Sequence, residues 1–116
     1  MGRWTEPRLI AFGSSWYECW DDYHGPACYE LGTGGPRGGS IQWHYVGETS
    51  NERQRMIVYA RDGSHLSATI DWHLREGWGL YYRSRAYPTK LLAKQAQDNL
   101  LARFEYDWNT LLNRTF

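Results

Sequence analysis

Three segments of the chain are rich in aromatic and aliphatic residues in the pattern of a β-strand, and in the first of them Cys28 and Glu30 lie on the face opposite to Ala27, Tyr29 and Leu31. The segments are 27–32, 41–47 and 78–85. The glycine-rich stretch TGGPRGGS at 33–40 lies between the first two segments and predicts a flexible loop. The first two strands are therefore expected to form an antiparallel hairpin.

Three further segments place apolar residues at helical spacing. The first predicted helix runs from about residue 50 to residue 60, and Thr49 with Glu52 is expected to form a capping box at its start. The second helix is predicted over 66–75 and the third over 89–104. Together, these elements predict an α+β fold, a small three-stranded antiparallel sheet flanked by helices.

Residues 1–25 follow neither period and are rich in aromatic and acidic side chains. Pro7, Gly13 and Gly25 interrupt this segment. It is predicted to be an irregular or partly helical arm, packed on a domain that comprises residues 26–116.

One polar residue, Gln97, is predicted to lie on the apolar face of the third helix. The residues expected on that face are Ala93, Leu100, Leu101 and Phe104. Burying an amide without a hydrogen-bond partner costs ~1–3 kcal/mol. Gln97 is therefore expected either to bond to backbone groups in the core or to line a wet cleft.

The composition allows both a packed core and a binding surface. The 116 residues suit one domain, and they include seven Trp and nine Tyr. Aromatic side chains fill small cores efficiently, and they also stack on nucleobases. Their number therefore does not decide between the two roles.

The charge balance excludes a uniformly basic nucleic-acid binder, because 13 Lys and Arg face 13 Asp and Glu. The charges are unevenly distributed, however, with ten Lys or Arg and seven acids in residues 51–116. Four basic residues occur between 83 and 94 without an acid: Arg83, Arg85, Lys90 and Lys94. Such a run either follows a phosphate backbone or forms a solvated face.

The cysteine content and the absence of a signal-like or membrane-spanning stretch predict an intracellular protein, cytoplasmic or, in a eukaryote, nuclear. The cysteines are Cys19 and Cys28, with His24 between them. A fourth zinc ligand of suitable spacing is missing, which argues against a zinc site.

The segment HYVGETSNERQR at 44–55 joins the second strand to the first helix. Strand termination and helix capping account for Gly47, Thr49 and Glu52 but give no role to Tyr45 or Arg55. Arg55 and Tyr59 lie one helical turn apart, so they share a face of the helix.

Several segments in order resemble the GIY-YIG nuclease superfamily, and they span residues 26–109. The segments are ACYEL, HYVGETSNERQR, YARDGSHL and AKQAQDNLLARFEYDWN. They are most similar to the domain found in plant effector-of-transcription proteins and their small microbial relatives. Tyr45-Val46-Gly47 fits the second signature tripeptide, whereas Ala27-Cys28-Tyr29 departs from the first, Gly-Ile-Tyr, and keeps its tyrosine.

The resemblance extends to single positions further along the chain. Arg55 stands where these nucleases keep a helix arginine, and Tyr59 stands where relatives have a histidine or tyrosine. Asn109 matches the terminal asparagine of the family pattern. Gln97 is the departure, because family members have a glutamate there that binds the metal ion.

The resemblance implies metal-assisted hydrolysis of a DNA phosphodiester, with Mg²⁺ or Mn²⁺ as the cofactor. Tyr45 or Tyr29 would help to remove a proton from the attacking water, beside the positive charge of Arg55. Asn109 would orient a phosphate or a backbone group. Metal binding is expected to be weak or absent with Gln97, because a neutral amide lacks the charge that holds the ion.

The expected catalytic set is Tyr29, Tyr45, Arg55, Tyr59, Gln97 and Asn109, and the side chains of Tyr29, Tyr45, Arg55 and Gln97 are expected to converge on one cleft. The residues expected to bind nucleic acid are Arg53, Arg83, Arg85, Lys90 and Lys94.

Three functions follow from these patterns. The first is a metal-dependent DNA endonuclease, weakened or silenced at Gln97, with DNA as its partner and a homodimer for double-strand cleavage. The second is a DNA-binding or transcription-regulating module that does not cut. The third is a protein-interaction domain that docks through the aromatic segment at 4–23.

Overall fold

The computed structural model describes residues 3–17, 23–35, 38–60 and 64–114. The strands are β1 (Arg8–Phe12), β2 (Ser15–Trp16), β3 (Ala27–Gly35), β4 (Gly38–Thr49) and β5 (Gly79–Ala86). The helices are α1 (Glu52–Ala60), α2 (Ser67–Arg75), α3 (Lys90–Arg103) and α4 (Asp107–Arg114). All the strands pair antiparallel in one sheet of order β2-β1-β5-β3-β4, so the α+β class is confirmed.

The sheet has five strands, so the prediction of three was wrong. The additional strands come from the N-terminal arm: β1 pairs with β5 from Arg8 opposite Tyr82 to Phe12 opposite Gly79, and β2 pairs with β1. Ile10 and Ala11 are fully buried in β1, which places the arm inside the fold. The two strands, Arg8–Phe12 and Ser15–Trp16, are therefore part of the sheet rather than a free docking segment.

The hairpin of β3 and β4 is longer than predicted. Its pairing continues to Gly35 opposite Gly38, so most of the expected flexible loop is strand, and residues 36–37 of that loop lie outside the described ranges. Glycine keeps its backbone donor and acceptor, so a hydrogen-bonded ladder can extend through glycine-rich sequence when the partner strand is fixed.

Helix α1 begins with a different cap from the one predicted. The side-chain oxygen of Asn51 accepts a hydrogen bond from the backbone N–H of Gln54 at 3.1 Å. The hydroxyl of Thr49 instead accepts from the backbone N–H of Asn51, also at 3.1 Å. Asn51 is thus the N-cap, and the capping box of Thr49 with Glu52 was wrong.

The two faces of the sheet carry separate cores. On the first face, which we call the α1/α2 face, Tyr29 and Leu31 pack with Met56 and Ile70. On the second face, the α3 face, the side chains of Cys28, Val46, Ala96, Leu100 and Tyr106 pack together. Burial raises the pKa of the Cys28 thiol to about 12, so this cysteine is a packing residue; Cys19 lies outside the described residues.

The apolar face of α3 differs from the predicted one. Ala93 is buried and Ala96 and Leu100 pack on the sheet, whereas Leu101 and Phe104 are exposed. Compared with the prediction, α3 thus turns the small side chains of Ala93 and Ala96 toward the sheet. Small side chains at this contact let the helix lie close to β4. Within the described ranges, none of the helices is long and apolar enough to cross a bilayer.

Candidate active site

Three tyrosines and an arginine meet on the α1/α2 face, and we call them the tyrosine–arginine cluster: Tyr29, Tyr45, Tyr59 and Arg55. The hydroxyls of Tyr29 and Tyr59 are 2.8 Å apart. The rings of Tyr29 and Tyr45 are 6.2 Å apart between centroids, and those of Tyr29 and Tyr59 are 5.9 Å apart. Arg55 lies close enough to all three tyrosines for its charge to shift their pKa values. The structure therefore brings four of the predicted site residues together.

Gly47 is what allows the cluster to form. It pairs with Tyr29 across β3 and β4, and a Cβ atom at position 47 would lie 2.5 Å from the Tyr29 hydroxyl oxygen and 2.9 Å from a ring carbon of Tyr45. Because glycine has no Cβ, the Tyr29 phenol can pass over the strand and reach Tyr59. The glycine thus serves the site, and the expected end of the strand at Gly47 was wrong, because β4 continues to Thr49.

Burial determines the protonation of the three phenols. Desolvation raises the pKa of Tyr29, Tyr45 and Tyr59 above the ordinary value, although the charge of Arg55 opposes the rise in each case. The phenols are therefore protonated at neutral pH and can donate hydrogen bonds. The shift runs against the predicted role of Tyr29 or Tyr45 as a base that removes a proton from water.

Arg55 keeps its charge in this setting. Burial alone would lower the pKa of the guanidinium, but the three tyrosines around it raise the pKa above its ordinary value. The arginine is half-buried, so part of the residue remains accessible to solvent. A fixed positive charge next to phenolic donors is an arrangement that binds an oxyanion.

His65 is a neighbour of the cluster that the sequence analysis did not single out. Its ring lies 5.8 Å from that of Tyr45, edge to face. Although the residue is exposed, partial desolvation of the ring and the charge of Arg55 lower its pKa below 6.5, so the imidazole is neutral at pH 7. The sequence signal was the histidine in YARDGSHL, which directly precedes α2 and joins the site only through the fold.

Gln97 is half-buried on the side of α3 that faces the sheet, next to Ala96. Its amide donates a hydrogen bond to the carboxylate of Asp98 at 3.2 Å. The amide of Gln97 thus bonds within α3, and its convergence with the tyrosines and Arg55 stays a prediction.

The residues near position 97 do not fit a divalent metal ion. The carboxylates of Asp98 and Glu48 are each paired with a lysine, Lys94 and Lys90 respectively. The part of the chain that the structure describes has no group of three His, Cys, Asp or Glu side chains arranged to hold a metal. A neutral amide and two neutralised carboxylates are poor ligands for Mg²⁺.

Asn109 binds backbone, one of the two roles that the sequence allowed. Its side-chain oxygen accepts from the N–H of Val46 and its amide nitrogen donates to the carbonyl of Val46, each at 2.9 Å. Because β4 is an edge strand, these two bonds satisfy backbone groups that another strand could otherwise pair with. Asn109 thus anchors α4 to the tripeptide that contains Tyr45.

The predicted basic run is largely neutralised in the fold. Arg83 pairs with the buried Glu30 at 2.6 Å and stacks between the rings of Trp4 and Trp43. Lys90 and Lys94 pair with Glu48 and Asp98. Arg53, on α1, is half-buried.

Arg85 is the exception in that run. Its Nε is buried without a hydrogen-bond partner in the described residues, and its guanidinium stacks on Tyr87 at 5.5 Å. An arginine without a carboxylate partner is the best phosphate contact of the four, because a bound phosphate would displace no ion pair.

We therefore expect Arg85→Ala to weaken DNA binding equally for different sequences and to lower the salt dependence of log K by about 0.9. Lys94→Ala is the matched control and should change both quantities less, because Lys94 is already paired with Asp98. Fluorescence anisotropy over a range of salt concentrations measures both quantities. Equal losses for the two variants would contradict this ranking.

The fold and the cluster define a small α+β domain with a phenol–guanidinium site at a strand–helix junction. The profile of the family described as GIY-YIG domain-containing protein matches residues 22–116, and the chain belongs to this GIY-YIG family. Members of the family are generally endonucleases that act on DNA and depend on a divalent metal ion. No curated protein and no solved structure matches the chain significantly.

Proposed function

We propose that the chain is a DNA endonuclease that hydrolyses a phosphodiester at the tyrosine–arginine cluster. One observation supports the proposal above others: the charged guanidinium of Arg55 lies beside three clustered, protonated phenols. Guanidinium and phenol groups donate hydrogen bonds, and the non-bridging oxygens of a phosphate accept them. Such donors stabilise the negative charge that builds up on the phosphate during hydrolysis.

The four side chains divide into contact and positioning residues. Tyr45 is 8% exposed, whereas Tyr29 and Tyr59 are each 1% exposed. Tyr45 and Arg55 therefore face the phosphate, and Tyr29 and Tyr59 hold them in place. One cluster hydrolyses one phosphodiester, so cleavage of both DNA strands would need two copies of the chain.

His65 is the group best suited to accept the proton of the attacking water. A neutral imidazole accepts a proton readily near pH 7, whereas a phenol with a raised pKa does not. His65 lies beside Tyr45 at the exposed rim of the cluster, where water has access.

This role predicts a specific pH dependence. Protonated imidazole cannot accept a proton, and the pKa of His65 is lowered from 6.5. We expect cleavage by the Gln97→Glu protein to stay level above pH 6.5 and to decline only at lower pH. His65→Ala in that background should lower the plateau ~10²-fold and remove the acid limb. An unchanged profile after His65→Ala would assign the base elsewhere.

The alternative function is a module that binds DNA without cutting it, and the ligands around Gln97 favour it. The amide and the two lysine-paired carboxylates do not suit a metal ion, so we assign no step of the reaction to a metal in the wild-type chain. The cluster could still bind a phosphate, because Arg55 and the phenols need no metal to donate hydrogen bonds.

Cleavage of supercoiled plasmid DNA, with protein in excess over DNA and with Mg²⁺ or Mn²⁺, tests the proposal. The wild-type protein is expected to nick slowly, and Arg55→Ala should abolish this activity. Arg75→Ala, at an exposed arginine of α2, is the matched control and should nick as the wild type does. If the wild-type and Gln97→Glu proteins both bind DNA and neither cuts it, the binding module is the function.

A further inference from the structure

A second candidate site lies on the α1/α2 face, in a pocket of about 330 Å³ between β4 and α2. Two half-exposed tryptophans flank it, Trp72 at 52% and Trp78 at 46% exposure. The polar side chains that line it include those of Thr33, Ser40, Gln42 and His44. Its size and its mixture of aromatic and polar groups are typical of a small-ligand site.

The local backbone sets the position of Trp78 at the end of α2. Gly77 has a φ of 93°, which is the left-handed conformation that glycine adopts most easily. The N–H of Gly77 donates to the carbonyl of Leu74, and the N–H of Trp78 donates to the carbonyl of His73 at 3.0 Å. This pair of bonds is a Schellman motif, which ends α2 and turns Trp78 back beside the helix.

Trp72 packs on His73, the residue whose carbonyl accepts from Trp78. The ring of Trp72 lies edge to face against that of His73, at 4.9 Å between centroids and 82° between planes. About half of each tryptophan stays open to solvent. A tryptophan side chain has few rotatable bonds, so its ring binds a flat partner at little cost in side-chain entropy.

The floor of the pocket is a fixed hydrogen-bonded chain. The hydroxyl of Thr33 is 2.8 Å from Nε2 of His44, and Nδ1 of His44 is 2.8 Å from the carboxylate of Asp107. His44 also stacks on Trp108 at 4.6 Å. Above this floor, Gln42 and Ser40 are exposed and offer an amide and a hydroxyl, which can bond to the edge of a heterocycle.

The pocket continues the tyrosine–arginine cluster along β4. Gln42 and His44 line the pocket, and Tyr45 of the cluster directly follows His44 in the same strand. Three residues of strand span ~10 Å. A nucleic acid whose phosphate lies at Arg55 would therefore bring a neighbouring nucleotide to the pocket.

We propose that this pocket binds an unpaired nucleobase by stacking it on Trp72 or Trp78, so that the preferred substrate is DNA with a single-stranded segment. Bases within a duplex are stacked on each other and cannot enter, whereas an unpaired base offers both ring faces. That the bound base belongs to the DNA cut at the tyrosine–arginine cluster rests on the proposed function, but the binding of an unpaired base in the pocket does not.

Binding of a short labelled single-stranded oligonucleotide, and of the same strand in a duplex, tests the proposal by fluorescence anisotropy without metal. Trp72→Ala and Trp78→Ala should each weaken single-strand binding about tenfold and leave duplex binding unchanged. Phe104→Ala removes a comparably exposed aromatic residue, which lines a different pocket, and should change neither. Circular dichroism checks that every variant is folded.

The outcomes separate this proposal from the endonuclease. Loss of single-strand binding in the tryptophan variants supports the pocket even if no DNA is cut. The absence of cutting would reject only the endonuclease. Wild-type single-strand binding in both folded tryptophan variants would overturn the pocket, whatever the plasmid assay shows. Tryptophan-dependent binding of a neutral oligosaccharide, without single-strand binding, would also overturn it, because sugar rings stack on indoles as well.

Discussion

The Gln97→Glu variant should nick plasmid DNA in Mg²⁺ or Mn²⁺ on the order of 10³-fold faster than the wild-type protein. The resemblance implies that family members have a glutamate at this position, and a carboxylate is the ligand that these ions prefer. The exchange keeps the size of the side chain, so the packing of Ala96 and Leu100 on the sheet should survive. The rate of conversion of supercoiled to open-circular plasmid measures the effect.

The variant should also respond to metal in its stability. In the wild type, the amide of Gln97 donates to Asp98 at 3.2 Å, whereas a glutamate would place a second carboxylate against that of Asp98. Repulsion between the two lowers the stability of the metal-free variant, and a divalent cation relieves it. The melting temperature of Gln97→Glu should therefore rise with Mg²⁺, and that of the wild type should not.

The matched control is Gln95→Glu, which makes the same change of charge on the exposed side of α3. It should leave both nicking and the response to metal at the wild-type level. Arg55→Ala introduced into Gln97→Glu should abolish nicking, because the guanidinium then no longer stabilises the phosphate charge. A Gln97→Glu protein that binds DNA but gains no cleavage with either ion would contradict the prediction.

Elements with a strong local period were predictable from the sequence, and those fixed by distant partners were not. The cores of β3, β4 and β5 and the helices α1 to α3 follow from hydrophobic spacing. Strand β1 was missed because RLIAF has only five residues and is stabilised by pairing with β5, some seventy residues further along the chain. At the start of α1, Thr49 and Asn51 are both good N-caps, and only the backbone geometry selects Asn51.

Part of the candidate site was likewise predictable from the sequence, and part was not. Tyr45, Arg55 and Tyr59 lie close together in the chain, and the resemblance to the family points to them as site residues. Lys94 pairs with Asp98 four residues further on, but the neutralisation of Arg83 and Lys90 depends on Glu30 and Glu48, which lie 53 and 42 residues from their partners. Pairing over such separations is set by the register of the sheet and the placement of α3, so the spacing of charges along the sequence could not show it.

Gly47→Ala should disrupt the cluster without removing any of its polar groups. The added Cβ would lie 2.5 Å from the Tyr29 hydroxyl and 2.6 Å from its ring carbon Cζ. Tyr29 is 1% exposed, so the ring has little space to move into. Overpacking of this kind costs ~1–3 kcal/mol, and loss of the bond between Tyr29 and Tyr59 adds about 1 kcal/mol. We expect a loss of ~2–4 kcal/mol in the free energy of unfolding, measured by urea denaturation.

The same change, Gly47→Ala, should lower nicking by the Gln97→Glu protein at least ~100-fold. A displacement of the reacting groups by about an ångström is enough to lower a rate by this factor. Gly35→Ala is the matched control, because a Cβ there meets nothing within 4 Å and the residue lies at the end of β3. Tyr29→Leu shortens the side chain that the new Cβ would meet, so Gly47→Ala should cost less stability in that background than alone. Strictly additive effects of Gly47→Ala and Tyr29→Leu, or a Gly47→Ala protein as stable and as active as Gly35→Ala, would show that Tyr29 does not need the space above Gly47.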